Sequence, residues 1–133
     1  MEKVKIVIQG AGVSSLALCQ LLLDYGVPKG NVFLIDSKGI VRTKRNDLGK
    51  YKRVYAVTTD KKSFDDAISG ADIVIGLSRG GKIKPDQISK MNDKPIVFAL
   101  SLPNPEILPD EVSEVAPDAI VATGRADLPN HVT

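Results

Sequence analysis

The run Val4-Lys5-Ile6-Val7-Ile8 leads directly into Gly10-Ala11-Gly12-Val13-Ser14-Ser15, and this junction constrains the chain more than any other stretch. An almost continuously apolar strand must turn within a few residues into a helix, and glycine makes that turn without strain. The first glycine permits the tight reversal, and the second leaves room for a ligand to approach the backbone. The helix that follows points unpaired N–H groups at the same spot, which suits an anion.

Beyond the turn the pattern is helical. Val13, Leu16, Ala17, Leu21 and Asp24-Tyr25 step mostly at three and four, Gly26 stops the helix and Pro28 follows. Asn31–Asp36 then reads as a second strand ending in an acid, which completes a β-α-β unit of about 30 residues. Ser37-Lys38-Gly39-Ile40 reads as a turn. Val41–Arg53 reads as a charged surface excursion, with a short helix near Leu48–Tyr55.

Ser63 is expected to cap a short helix through Ile68 that Gly70 closes. Ala71–Leu77, Pro95–Leu100 and Ala119–Thr123 are predicted strands, and Pro85–Met91 and Pro109–Ala116 predicted helices. This alternation predicts an α/β, Rossmann-like, doubly wound fold: a mainly parallel sheet with helices on both faces.

At 133 residues the chain is expected to form one domain, spanning 1–133. Eighteen basic residues against sixteen acidic ones leave a net charge of +2, too small to point to nucleic acid. The single cysteine, Cys19, rules out an internal disulfide or a cysteine-cluster metal site, and mid-helix it is expected to be buried. No apolar run approaches the roughly 18 residues of a membrane helix. Met1-Glu2-Lys3 opens into a strand and not a signal sequence, so no membrane partner and a cytoplasmic location are expected.

Asp36 lies roughly 20 residues past the glycine turn, the spacing at which a carboxylate reaches the ribose of a dinucleotide. A carboxylate there accepts from a 2′-hydroxyl and repels a 2′-phosphate, which favours NAD over NADP. Lys38 and Arg42, close behind, partly offset that repulsion. Ser15 stands where glycine or alanine usually lets the helix pack closely. The hydroxyls of Ser14 and Ser15 have two open roles, donation to phosphate or capping of the first turn.

Ser78-Arg79-Gly80-Gly81 and Ser101-Leu102-Pro103-Asn104-Pro105-Glu106 fall at the carboxyl edge of the expected sheet, where ligands of open α/β folds bind. Asn104 is the candidate polar contact on the nicotinamide side, with turn formation as its alternative. His131, the one histidine, is expected to be solvated. There is no serine–histidine–aspartate order, no metal-ligand cluster, no P-loop lysine and no evident general base.

Several segments together resemble the NAD-binding domain of bacterial and archaeal malic enzymes: Val4–Gly12, Ile35–Ile40, Ala71–Ser78, Pro95–Leu100, Pro105–Pro109 and, most specific, Ala122–Asn130 (Ala-Thr-Gly-Arg-Ala-Asp-Leu-Pro-Asn). The resemblance covers nearly the whole chain. It implies oxidative decarboxylation of malate to pyruvate and CO2 with NAD (or NADP) and Mg or Mn, in a homodimeric complete enzyme. It places the pyrophosphate on Gly10, Gly12, Val13, Ser14 and Ser15, the adenosine ribose on Asp36, and the cofactor cleft beside Ser78 and Arg79; Ala11, Ser37 and Asn104 complete the candidate cofactor-binding set.

Two positions depart from the family pattern. Leu102 aligns with a family asparagine, with Asn104 two residues later, and the chain ends Pro129-Asn130-His131-Val132-Thr133 where the family continues. The resemblance puts the acid tyrosine, the base lysine and the metal ligands on sequence upstream. The chain is therefore expected to be the cofactor domain of a larger malic enzyme, without catalytic residues of its own and inactive on malate alone. The alternative is a free-standing, non-catalytic NAD(P)-binding module that regulates or scaffolds.

Overall fold

The computed structural model describes residues 4–78, 80–102, 104–125 and 127. Six strands form one sheet: β1 (Ile6–Gln9), β2 (Val32–Asp36), β3 (Gly39–Ile40), β4 (Ile73–Gly76), β5 (Ile96–Ala99) and β6 (Ile120–Thr123). Their order is β3-β2-β1-β4-β5-β6, and every pair is parallel except β2–β3. The order of strand addition reverses at β1, with β2 and β3 on one side and β4 to β6 on the other, so a crevice opens beyond the carboxyl ends of β1 and β4.

Five helices connect the strands: α1 (Val13–Asp24), α2 (Lys50–Val54), α3 (Phe64–Ile68), α4 (Pro85–Ile88) and α5 (Pro109–Val115). Strand alternation divides the interior into two cores. Val7, Phe33, Ile35, Val74 and Val97 pack with Ala67 and Ile68 of α3, Ile88 of α4 and Val112 of α5. Ile6, Ile8, Val32, Leu34 and Ile75 pack on the other face with Cys19 and Leu16 of α1 and with Ala56. Full burial of one such isoleucine or leucine contributes roughly 1.5–3 kcal/mol. The expected doubly wound α/β architecture is the one observed.

The elements are shorter than the periodicity predicts. The second strand starts at Val32 because Lys29–Asn31 form a 3-10 turn, and the helix from Pro85 ends at Ile88. Ser63 caps α3 as expected: its side chain accepts from the Asp66 N–H at 3.1 Å, and Asp66 reaches back to the Ser63 N–H. Ser37–Ile40 is more than a turn. Gly39 and Ile40 fold back as the antiparallel edge strand β3, fixed by the Ile40 N–H bonding to Lys62 O at 2.8 Å. Cys19 is buried, and burial pushes its thiol up to about 11. No helix among the described residues is long and apolar enough to cross a membrane.

Candidate functional site

The carboxyl edge of β1 is closed by the glycine turn. Gly10 has φ +118°, and a Cβ there would sit 3.0 Å from Leu77 O, so both conformation and space require glycine. Its N–H bonds to Ile35 O at 2.8 Å, which seats the turn on β2. Gly12 caps α1 without any side-chain bond, and nothing lies within 4 Å of the Cβ it lacks. Gly12, Val13 and Ser14 are exposed, so the first N–H groups of a twelve-residue helix face open space.

The two serines part company here. Ser14 is exposed at the helix start, whereas Ser15 is only 1% exposed and its Oγ has no partner. Ser15 therefore occupies the helix–strand contact that glycine or alanine normally fills. Gln9 Oε1, one residue before the turn, is likewise buried and unpartnered.

A cleft of about 660 Å³ opens from this turn across β2. Gln9, Gly10, Ala11, Asp36, Ser37 and Ser78 line it, together with four lysines: Lys38, Lys52, Lys62 and Lys82. The size falls in the range of small-molecule sites, and the lining is cationic.

Asp36 ends β2 inside this cleft, but not as a free carboxylate. Oδ1 accepts from the Lys38 N–H at 2.9 Å and from Arg45 Nη1 at 2.9 Å. Oδ2 accepts from Arg45 Nη2 at 2.8 Å and from Lys52 Nζ at 3.1 Å. All of a carboxylate's roughly four acceptor sites are taken. Arg45 is saturated in turn. It also donates from Nε and Nη2 to Asp47 at 2.9 and 2.8 Å, and from Nη1 to Ile40 O at 3.1 Å. Burial pushes the Asp36 carboxyl up, but the hydrogen bonds from Arg45, Lys38 and Lys52 outweigh it and hold the group below its ordinary value.

Besides the Lys38 and Arg42 that lie close behind it in sequence, Arg45 and Lys52 thus set two cations against the Asp36 carboxylate. Sequence reading missed both cations. They sit in the Val41–Arg53 segment that reads as solvated loop, which is in fact tied down by the Thr43 N–H to Val57 O at 2.9 Å.

Farther along the edge, Asn104 is exposed and lines a second opening with Gly80, Leu102 and Arg125. Leu102 is 66% exposed. The residues after β4 and β5 touch closely: a Cβ at Gly80 would lie 2.6 Å from Asn104 Cβ. Beneath them lies Glu106, fully buried, which sequence reading also missed. Its carboxylate accepts from the Ser78 N–H at 2.8 Å and the Ser101 N–H at 3.1 Å. Arg79 and the Pro129-Asn130-His131 terminus lie outside the described residues. No group of three His, Cys, Asp or Glu among the described residues could hold a metal.

Comparison with known proteins agrees with this geometry. Residues 1–130 match the family described as malic enzyme, NAD binding domain. The NADP-dependent malic enzyme of Halomonas elongata is 44% identical over 132 residues, covering 99% of this chain and 31% of that protein. An NAD-dependent malic enzyme of Rhizobium meliloti is 40% identical over 133 residues, covering 99% of this chain and 17% of that protein. The solved NAD-dependent malic enzyme of Thermotoga maritima superposes with a TM-score of 0.85 at 41% identity, over 98% of this chain and 36% of that one. This chain thus spans about a third or less of each of these relatives. It belongs to the malic enzyme NAD-binding domain family.

Proposed function

We propose that this chain is the cofactor-binding part of a decarboxylating malate oxidoreductase and that its cleft accepts NADP as well as NAD. The observation that carries the reading is the strand–Gly10-Ala11-Gly12–helix turn opening onto a cleft lined by four lysines. Gly12, Val13 and Ser14 would hold the pyrophosphate, Ser37 and the Asp36 cluster the adenosine ribose. Ser78, Arg79 and Asn104 would border the nicotinamide half. Bound NAD(P) supplies the hydride acceptor, and the residues of this chain hold and orient it. Malate, the metal and the proton-transfer groups belong in this proposal to other parts of a larger enzyme, as the length of the relatives suggests.

The cofactor range follows from Asp36. With its acceptor sites filled, a ribose hydroxyl must displace a donor. Lys52, at 3.1 Å with a side chain 36% exposed, is the loosest of them. A 2′-phosphate would draw Lys52 to itself and leave the Arg45–Asp36 pair intact. Calorimetric titration of the chain with NAD and NADP tests this. Both are expected to bind, with NADP at least as tight at low salt and more steeply weakened by added salt. Lys52→Met is expected to cost NADP about tenfold and NAD little. Binding of NAD alone would overturn the cofactor range, and binding of neither would overturn the function.

A further inference from the structure

We propose that Glu106 is a positioning residue for the nicotinamide side of the cleft, joining the backbone after β4 to the backbone after β5 so that both walls move as one. The inference rests on the cofactor reading above.

A carboxyl group with no exposure to water is costly unless donors surround it. Glu106 has 0% exposure and stands between buried Pro105 and Ile107. Its donors are placed informatively. β4 and β5 run parallel in register, with Gly76 opposite Ala99, and the named strands end at that pair. Ser78 and Ser101 each lie two residues farther on, at equivalent positions. Glu106 takes one N–H on each oxygen, Ser78 on Oε2 at 2.8 Å and Ser101 on Oε1 at 3.1 Å. The carboxylate thus bridges the two chains where their ladder has stopped.

The surrounding structure makes room for this bridge and extends it. A Cβ at Gly76 would run into the Glu106 carboxyl carbon, so the last residue of β4 leaves the space the side chain fills. The Glu106 carbonyl accepts from the Ile83 N–H at 3.1 Å, and Pro105 O accepts from Gly81 at 3.2 Å. The Ser101 hydroxyl donates to Asn104 O at 2.6 Å. Ser78 in turn lines the cleft, its Cβ 3.3 Å from where a side chain would begin at Gly10. One buried carboxylate therefore fixes the spacing between the glycine turn, Ser78 and Asn104. It touches no open face of the cleft itself.

Glu106→Gln keeps the shape but sets an NH2 group against a backbone N–H, so one of the two ties is lost. The chain and the variant would be titrated with NADP and with its adenosine half, 2′,5′-ADP, below the melting temperature of each. NADP affinity is expected to fall about tenfold and 2′,5′-ADP affinity to stay within about twofold. A general loss of structure would weaken both ligands, so equal losses, or none, overturn the positioning role. If the unmodified chain binds neither ligand, titration with NAD separates the outcomes: binding of NAD overturns only the cofactor range, and the comparison is then made with NAD and 5′-AMP, whereas no binding overturns the cofactor reading and this role with it. Should the variant not fold, amide hydrogen exchange on the unmodified chain decides. The Ser78 and Ser101 amides are expected to exchange as slowly as those of β4 and β5, and exchange at the rate of exposed loops overturns the bridge.

Discussion

Asp36 and Glu106 are both carboxylates withdrawn from water at the same edge of the sheet, yet they are held by opposite means. Asp36 is surrounded by long cationic side chains from the segment that follows β3: Arg45 grips both oxygens, and Lys52 of α2 completes the set. Glu106 is held by two backbone N–H groups and a missing side chain at Gly76. Long side chains can exchange partners in nanoseconds, whereas backbone ties move only with the chain. The first arrangement can release a donor to an incoming group. The second suits an end where distances must stay fixed.

The contrast can be broken most severely at Gly76. Gly76→Ala pushes a methyl group into the buried Glu106 carboxyl, which can yield only by giving up its bonds to Ser78 and Ser101, and is expected to destabilise by about 3 kcal/mol, read from the urea midpoint at constant slope. A loss under about 1 kcal/mol would mean that the backbone-held end is as adaptable as the Asp36 end.

Arg45→Ala probes the other end and is expected to cost about 2 kcal/mol at neutral pH, since Lys52 and the Lys38 N–H still serve Asp36. The sign of its pH dependence follows from the depressed value of Asp36. Stability from this carboxylate is present above the ordinary carboxylate range, near pH 4, and is lost as pH falls through the lower folded value. Removing Arg45 raises that folded value, so acid unfolding should begin at a higher pH and the cost of the substitution should shrink toward acid. A cost unchanged between pH 7 and pH 3 would show that the pair contributes nothing through charge.

The smallest effect is expected at Ser101→Ala, which removes only the bond to Asn104 O and should cost about 1 kcal/mol in thermal or chemical unfolding. A larger loss would place more of the rigid end's order in that hydroxyl than in Glu106.

The parallel sheet and the glycine turn were legible because their signals are local. β-Branched runs such as Ile6-Val7-Ile8 and Ile73-Val74-Ile75 fit buried strands, and Gly10 is required by its own backbone angle. β3 was not legible, since a two-residue edge strand is fixed by a bond to Lys62 and not by any pattern of its own. Asp36 was legible as a position and not as an electrostatic state, because its side-chain partners come from a segment whose composition reads as solvated. Glu106 was hidden for a related reason: an acid in a proline-rich turn reads as surface. The available signal was Gly76, a glycine ending a strand of isoleucine and valine, which asks what fills the space above it.

The sheet has a consequence for how this sequence can change over time. It separates two cores that share no side chain, one containing Ile68, Ile88 and Val112 and the other Cys19, Leu34 and Val41. Substitutions without common partners add in their effects. A lineage can therefore revise the packing under α1 and the packing under α3–α5 as separate problems, each drifting without compensation from the other. The shared constraint falls on the strand backbones and on the residues at their carboxyl ends.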